Sequence, residues 1–578
     1  MSSTPGTALG KDEALAALTG PGSVYEIAET DHDGVPWRIF PRGPRTLREA
    51  FLATAAYGDR EALVSGPVRI TYAGQQRLVA HLARHLAVRH GVRSGDRVAI
   101  AMRNHPEFVL SFWAVQLLGA VAVPLNAWWT ADELRYGLTD CEAVVLIADG
   151  ERAKLLDGRL DDLPVRALLV AHPSGDCAGE DLTAFLAAAE GPCEPPAGDP
   201  DPDDPAVLMY TSGTTGRPKG AVGTHRNHCT NLHTMHLSQA VQLLGMGMPA
   251  ELLTGGPVKL FEALPDLPQS SALQCYPLFH IAGLSGMYVT AGGGGKMTLM
   301  HRWDTDEVLR TIEREKITSA TMVPTLLRRL LESPNRSKHD LSSLLMLGAG
   351  GAPVPPDLVG EVGRMSGEAI SPLNGYGMTE TTCVATANTG ADYYAHPDSV
   401  GLPVPVIDLR IADPVTGEEV PAGELGEVWF RGPHIVAGYW RRPEETREAF
   451  PDGWFRTGDL GHRDADGYLY VVDRLKDVVI RGGENVYSAE VEAVLFEHEA
   501  VADVAIVGVP HRDLGEEVAA VVELQPGAVC TAAELRGHVA KRLAAFKVPT
   551  IVRFTQVPLP RNAVGKVLKR QLRDLLTG

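Results

Sequence analysis

Residues 210–220 read Y-T-S-G-T-T-G-R-P-K-G, and the apolar run Ala206, Val207, Leu208, Met209 leads into them. A short apolar run followed by a glycine- and hydroxyl-rich stretch predicts a buried strand that ends in a phosphate-handling loop, with a polar segment beyond it able to start a helix. Glycines let backbone N–H groups approach phosphate oxygens, hydroxyls add donors, and lysine supplies a compact positive charge. Thr211, Ser212, Gly213, Thr214, Thr215, Gly216 and Lys219 are the residues placed to hold an oligophosphate. The P-loop NTPase template G-x-x-x-x-G-K-[ST] does not fit, because Pro218 stands where the second glycine belongs and Gly220 follows Lys219.

Outward from this loop the chain alternates strands and helices. Helical periodicity over 75–89, a strand at 97–101, a helix after Pro106 and strands at 120–123 and 143–147 form βα units, so the fold class is α/β with mostly parallel sheets flanked by helices. The apolar stretch 111–129 contains Gln116, Pro124 and Asn126 and changes character at Gly119, which reads as a buried helix followed by a strand and not as a membrane span. Residues 191–205, rich in Pro, Asp and Gly, form a surface link to the phosphate loop. The connection between 225 and 276 exceeds the usual length, so part of it should be helical, and 245–268 is expected to be a mobile lid.

Alternation continues to about residue 387, and 400–438 turns strand-rich, with Glu427, Val428, Trp429 and Phe430 the clearest strand of a β-rich subdomain. The pattern becomes polar at 473–477, and the remainder again alternates helix and strand at a length able to fold alone. The expected organisation is an N-terminal tail and lead-in segment over 1–45, a large N-terminal domain over 46–473, a hinge at 474–477 and a small mobile α+β C-terminal domain over 478–578.

At 578 residues the chain is too long for one core, and its 44% hydrophobic and 22% charged residues are those of an ordered globular protein. A formal charge of −19 excludes nucleic acid as the expected partner, since phosphate backbones are bound by a net basic face, whereas small anions need only local basic groups. Cysteines at 141, 177, 193, 229, 275, 383 and 530 form no C-x-x-C pair, which argues against a disulfide framework or a zinc-ribbon site. With no signal or lipidation pattern at either end, a cytoplasmic protein without a membrane span is expected.

Further motifs join the first in a fixed order: P-L-F-H-I-A-G at 277–283, G-A-G-G-A-P at 348–353, N-G-Y-G-M-T-E at 374–380, F-R-T-G-D-L at 455–460, D-R-L-K-D at 473–477, G-G-E-N at 482–485 and P-R-N-A-V-G-K at 560–566. Together they resemble the adenylate-forming superfamily of acyl-CoA synthetases, peptide-synthetase adenylation domains and luciferases, over 47–576. The resemblance implies an acid–thiol ligase: a carboxylate attacks the α-phosphate of ATP, pyrophosphate leaves, and the thiol of coenzyme A then displaces AMP from the acyl carbon.

The resemblance also implies roles. Lys566 would be the adenylation lysine, Thr379 would contact the α-phosphate and Glu380 would hold Mg²⁺, a hard cation suited to carboxylate oxygen. Gly350, Gly351 and Ala352 would form a flat wall for adenine, on which Tyr376 stacks, with Asn374, Gly375 and Gly377 in the same ATP-binding group. Asp459 would accept from the ribose hydroxyls and Arg474 would donate to the ribose. The acyl substrate would meet His280, Gly283, Gly348 and Tyr376, with His280 positioning the acid rather than exchanging protons, and glycines 283, 286 and 292–295 leaving room for a bulky hydrophobic acid. Lys476 would be the hinge, Gly482 and Gly483 would line the pantetheine tunnel, and Phe546 and Lys547 would meet the CoA nucleotide.

Two other readings compete. A ligase that loads a separate carrier protein shares the first half-reaction, and no carrier motif surrounds Asp398 and Ser399 in this chain. A non-catalytic ligand-binding protein on the same fold would have no use for Lys566, Glu380 and Asp459 together. The resemblance leaves room for a homodimer, and the sequence does not identify the acid.

Overall fold

A computed structural model describes residues 11–32, 34–175, 178–211, 217–367, 369–561 and 565–577. The apolar run before the phosphate loop is the strand Pro205–Thr211, which pairs antiparallel with Lys219–Thr224 and parallel with Val121–Pro124. These strands start a seven-stranded sheet that continues through Arg97–Ala101, Val145–Asp149, Ala167–Ala171 and the two-residue edge strand Glu180–Asp181. The phosphate hairpin thus forms one edge of the sheet and Glu180–Asp181 the other.

A second sheet of nine strands has a parallel centre built from Ser271–Gln274, Lys296–Leu299, Ser319–Met322, Met346–Gly350 and Ser371–Tyr376. The helix Pro106–Leu117 buries all 12 of its residues, and Phe108, Phe112 and Trp113 belong to one core with Val98 and Ile100 of the first sheet and Leu63 and Met297 of the second. That burial on every side explains the near-continuous apolar sequence; among the described residues no helix is long and apolar enough to cross a membrane.

The β-rich segment is a four-stranded antiparallel sheet of Asp408–Ala412, Gly426–Arg431, Phe455–Arg463 and Leu469–Arg474. Beyond it the chain builds a separate five-stranded sheet with its own apolar core around Ile506, Val518, Ala520 and Val522, covered by Ser488–Phe496 and Ala532–Ala540. The six described cysteines are all free.

Two expectations need correction. Order begins well before residue 46: the helix Lys11–Thr19 and the hairpin Ala28–His32/Val35–Ile39 bring Ala14, Leu18 and Tyr25 into a core with Leu237, Ala240, Leu244 and Leu253. The helix has only nine residues, too few turns for its apolar face to stand out from a Gly/Pro-rich background. The 245–268 segment is docked rather than free. It forms the helices Ala250–Leu253 and Gly256–Ala263, the Thr254 carbonyl accepts from Val24 N at 2.8 Å, and Phe261 lies 5.5 Å from Tyr57 with the Arg60 guanidinium 4.5 Å from its ring.

Because Leu18 is fully buried between the N-terminal helix and His225–Gly245, Leu18→Ala is expected to cost about 2–5 kcal/mol in urea unfolding. A disordered lead-in segment would show no change.

Candidate active site

The strand Ser371–Tyr376 carries Asn374, Gly375 and Tyr376 to its carboxyl end, where the chain turns back through the short 3₁₀ helix Thr379–Thr381. A Cβ at Gly377 would fall 1.8 Å from the Cys383 carbonyl oxygen, so this return admits glycine alone. Thr382 and Cys383 then hold φ of 49° and 87°, conformations costly for side-chain-bearing residues. The Thr382 hydroxyl, donating to the His434 carbonyl at 2.7 Å, helps lock them.

This turn delivers Glu380 into the interior. Its Oε1 accepts from the Tyr439 hydroxyl at 2.9 Å, and its carbonyl accepts from Val436 N at 3.0 Å. Burial pushes the Glu380 carboxyl above the usual carboxylate range, against the opposing pull of Tyr439, Arg474 and Lys566. Tyr439 is held because residues 437–440 zip onto the phosphate hairpin: Ala437 N donates to the Val222 carbonyl, Val222 N to that of Gly438, and Trp440 N to that of Gly220, all within 2.9 Å. The Lys219 ammonium lies 5.4 Å from the centre of the Tyr439 ring, which ties the end of the phosphate loop to the Glu380 carboxylate through one side chain. Thr211 faces Lys219 across the hairpin, whereas Ser212, Gly213, Thr214, Thr215 and Gly216 lie outside the described residues.

A second group comes from the β-rich sheet. Asp459 and Arg474 are cross-strand partners, with Arg474 Nε 3.0 Å from Asp459 Oδ1, and the Tyr376 hydroxyl donates to Oδ2 at 2.6 Å. Three motifs far apart in sequence therefore meet at one buried carboxylate. The adjacent Asp473 faces the C-terminal region: its Oδ2 accepts from Ser488 Oγ at 2.8 Å and from Ala489 N at 3.2 Å.

Lys566 reaches this group from the loop between the strand Ile551–Thr555 and the helix Lys569–Thr577. Its side chain is solvent-accessible but enclosed by protein on several sides. That enclosure, with Arg474 nearby, lowers its ammonium to about 8, while Asp459 and Glu380 pull upward. Its base is firm: Arg561 pairs with Asp503 and donates to the Gly565 carbonyl, and Lys569 Nζ lies 2.8 Å from Glu492 Oε1 and donates to Ser488 Oγ at 2.7 Å. His280 caps the helix Ile281–Gly292 through its Nδ1. Burial, followed by the Lys566 charge, pushes its imidazole down to about 4, so it is neutral at pH 7 and suited to positioning.

Other expected residues turn out differently. A Cβ at Gly283 would lie 2.1 Å from the Pro277 carbonyl oxygen, one at Gly348 2.8 Å from that of Leu373, and one at Gly294 2.5 Å from the Tyr57 ring. These glycines allow close packing on the side where a Cβ would stand. Gly350 and Gly351 are different: the nearest atoms to an added Cβ belong to Tyr276, at 3.6 and 4.0 Å, and Ala352 follows them, so the strand end keeps a low wall. The Tyr276 hydroxyl donates to the Gly350 carbonyl at 3.0 Å.

Gly482 and Gly483 are the two central residues of the hairpin Val479–Arg481/Glu484–Val486, with φ of 61° and 88°. Both need the left-handed region that a two-residue turn demands, a reason for glycine separate from any tunnel. Lys547 Nζ lies 2.6 Å from Glu490 Oε2, so its charge is already engaged, and Phe546 packs against the C-terminal core. Lys476 is exposed in the turn after Arg474. Tyr439 and Tyr276 were not singled out from sequence; the glycine-tyrosine pair at 438–439 was the available signal for the first.

A carboxylate–guanidinium pair, a buried second carboxylate and a lysine thus gather around one strand end. Residues 51–440 match the AMP-binding enzyme family, and 490–566 match the AMP-binding enzyme C-terminal domain. A feruloyl-CoA synthase from an Amycolatopsis species is 39% identical over 517 residues, covering 89% of this chain and 95% of that protein. A long-chain-fatty-acid–CoA ligase of Bacillus subtilis is 32% identical, covering 94% and 97%. The solved o-succinylbenzoate CoA synthetase of Bacillus subtilis, in complex with its acyl-adenylate intermediate, superposes with a TM-score of 0.75 at 31% identity, covering 91% of this chain and 98% of that one. The chain belongs to the AMP-binding enzyme family, and within it to the AMP-forming acid–thiol ligases, the acyl-CoA synthetases.

Tyr439→Phe removes the one side-chain hydroxyl among the described residues that bonds the Glu380 carboxylate. Urea unfolding is expected to show a loss of about 1.5–3 kcal/mol, the range for hydrogen bonds to charged groups. An unchanged midpoint and slope would mean that this bond contributes nothing.

Proposed function

We propose that this protein activates a hydrophobic aryl carboxylic acid as its acyl-adenylate and transfers the acyl group to CoA, with Lys566 leading the first half-reaction. The observation that carries the reading is the meeting of Lys566, Glu380 and the Tyr376–Asp459–Arg474 group at one strand end. In the first step a carboxylate oxygen of the acid bonds to the α-phosphorus and the bond to the bridging oxygen of pyrophosphate breaks. Two anions approach each other, so a fixed ammonium between them stabilises the transition state more than the ground state. Asp459 and Arg474 orient the ribose, Gly350 to Ala352 bound the adenine, and the loop ending at Lys219 takes the departing pyrophosphate.

Glu380 fits a hard divalent cation such as Mg²⁺, because it is a buried carboxylate with one oxygen committed to Tyr439 and a proton affinity raised by burial. Such an ion, when bound, neutralises phosphate charge; the protein's part is to hold the carboxylate in place. In the second step the CoA sulfur bonds to the acyl carbon, AMP leaves with the electron pair, and the thiol proton passes to solvent. Rotation about Lys476 withdraws Lys566 and brings the Gly482–Gly483 turn to the site. The aryl assignment is supported by the higher identity to the feruloyl-CoA synthase than to the fatty-acid ligase.

Pyrophosphate and AMP release with ferulate, indoleacetate and alkanoic acids, with CoA present or absent, tests the reading. Aryl acids are expected to give CoA-dependent AMP release at the highest kcat/KM, and AMP release that needs a carrier protein instead of CoA would overturn it. Lys566→Ala should lower pyrophosphate release by at least about a hundredfold yet retain thioester formation from synthetic acyl-adenylate. Equal loss in both steps would sink the role given to Lys566.

With the Lys566 ammonium lowered to about 8, its charge is present below that pH and lost above it. kcat/KM for adenylation is therefore expected to fall as pH rises through about 8, and Lys566→Arg to move that falling limb upward.

A further inference from the structure

The edge of the seven-stranded sheet remote from the phosphate hairpin carries a group of donors that the reaction does not use. His85 and His90, at the end of the helix Tyr72–His90, and Glu180, on the edge strand, bring three donor atoms within 4.8 Å of one another. Nε2 of His85 lies 2.8 Å from Glu180 Oε1, and Nε2 of His90 lies 3.1 Å from Oε2. The rings meet edge to face at 5.0 Å, and Phe185 covers His85 at 4.3 Å.

The His85 contact is close but poorly aligned. Its Nε2 is buried and lies 2.8 Å from Glu180 Oε1 without a well-directed hydrogen bond to any acceptor among the described residues. A buried ring nitrogen beside a carboxylate, with no aligned proton between them, is a donor pair open to a shared ion. In a tetrahedral site with bonds of about 2.0–2.2 Å, ligand atoms stand about 3.3 Å apart, and these three donors, all within 4.8 Å of one another, reach that spacing by side-chain adjustment alone. The C-terminal end of a 19-residue helix favours positive charge, and Glu180, 36% exposed, leaves the fourth position open to water.

We propose that His85, His90 and Glu180 form a structural site for a borderline divalent transition-metal ion, Zn²⁺ in the first instance, which fastens the edge strand Glu180–Asp181 to the helix Tyr72–His90. Two imidazoles and one carboxylate suit Zn²⁺ and disfavour Mg²⁺ and Ca²⁺, which want oxygen. The site is structural because five strand spacings, about 24 Å, separate its edge strand from Pro205–Thr211. It also protects a two-residue edge that would otherwise be held by few ladder bonds.

A second group, His105, Glu107 and His172, meets the same distance criterion, but among the described residues its carboxylate pairs with one imidazole, Glu107 Oε2 with His172 Nε2 at 3.2 Å, where Glu180 pairs with two. It serves as the control.

The test is equilibrium dialysis of the full chain, freed of metal with EDTA, against buffered Zn²⁺ at about 1 µM free ion, with bound metal counted by atomic emission and Tm followed in parallel. The natural chain is expected to hold one Zn²⁺ and to gain Tm on loading. His90→Ala and Glu180→Ala should weaken uptake by at least about a hundredfold and abolish the Tm gain, whereas His172→Ala keeps both. Both edge variants should retain pyrophosphate release within about twofold at 25 °C, which shows them folded, and Co²⁺ loading of the natural chain should give the visible bands of a tetrahedral centre. No uptake by the natural chain, uptake unaffected in His90→Ala and Glu180→Ala, or uptake lost in His172→Ala would each overturn the proposal.

Discussion

A carboxylate taken out of water governs the centre of this molecule. Glu380 is buried, and desolvating an ionised carboxylate costs several kcal/mol unless neighbours compensate. The compensation is spread over three distant parts of the chain: a hydroxyl from the segment zipped to the phosphate hairpin, a guanidinium from the β-rich sheet and an ammonium from the C-terminal region. The constrained return from Gly377 to Cys383 exists to put the carboxylate there, and its strained backbone is tolerated because hydrogen bonds from both sides hold it.

The charges around Glu380 form an alternating set. Arg474 and Lys566 are cations and Asp459 and Glu380 anions, and each tunes its neighbours in the direction expected of its sign. A polyanion entering such a group meets cations already held in position, so little reorganisation accompanies the build-up of charge in the transition state. Lys566 sits on a loop, but the Arg561–Asp503 pair and the Lys569–Glu492–Ser488 contacts give that loop a fixed base. Through Ser488 the base is also tied to Asp473, the residue beside Arg474, so the position of the lysine and the position of the Asp459–Arg474 pair share a support.

Much of this was legible in the sequence because it is written locally. Apolar runs of four or five residues, glycines at sharp returns and the order of short motifs identify the strands and the fold class, and the motifs single out Lys566, Glu380, Asp459 and Arg474, which the fold brings near one another. What was not legible depends on long-range contact. The nine-residue N-terminal helix becomes recognisable only when Leu18 meets Leu237 and Leu244. The close approach of Pro277, Leu373 and Tyr57 to the glycines at 283, 348 and 294 is a long-range contact that no local pattern marks. Tyr439 supports a residue 59 positions away, and a lone aromatic after a glycine carries no mark of that.

The Gly482–Gly483 turn bears on how such chains drift over time. Both positions lie in a backbone region that other residues reach only with strain, and the turn joins strands whose register leaves no spare residue. A side chain at either position would be selected against by the hairpin before any acyl acceptor came near it. Persistence of the two glycines among descendants is therefore enforced by geometry alone, and a lineage that lost its acceptor would still keep them.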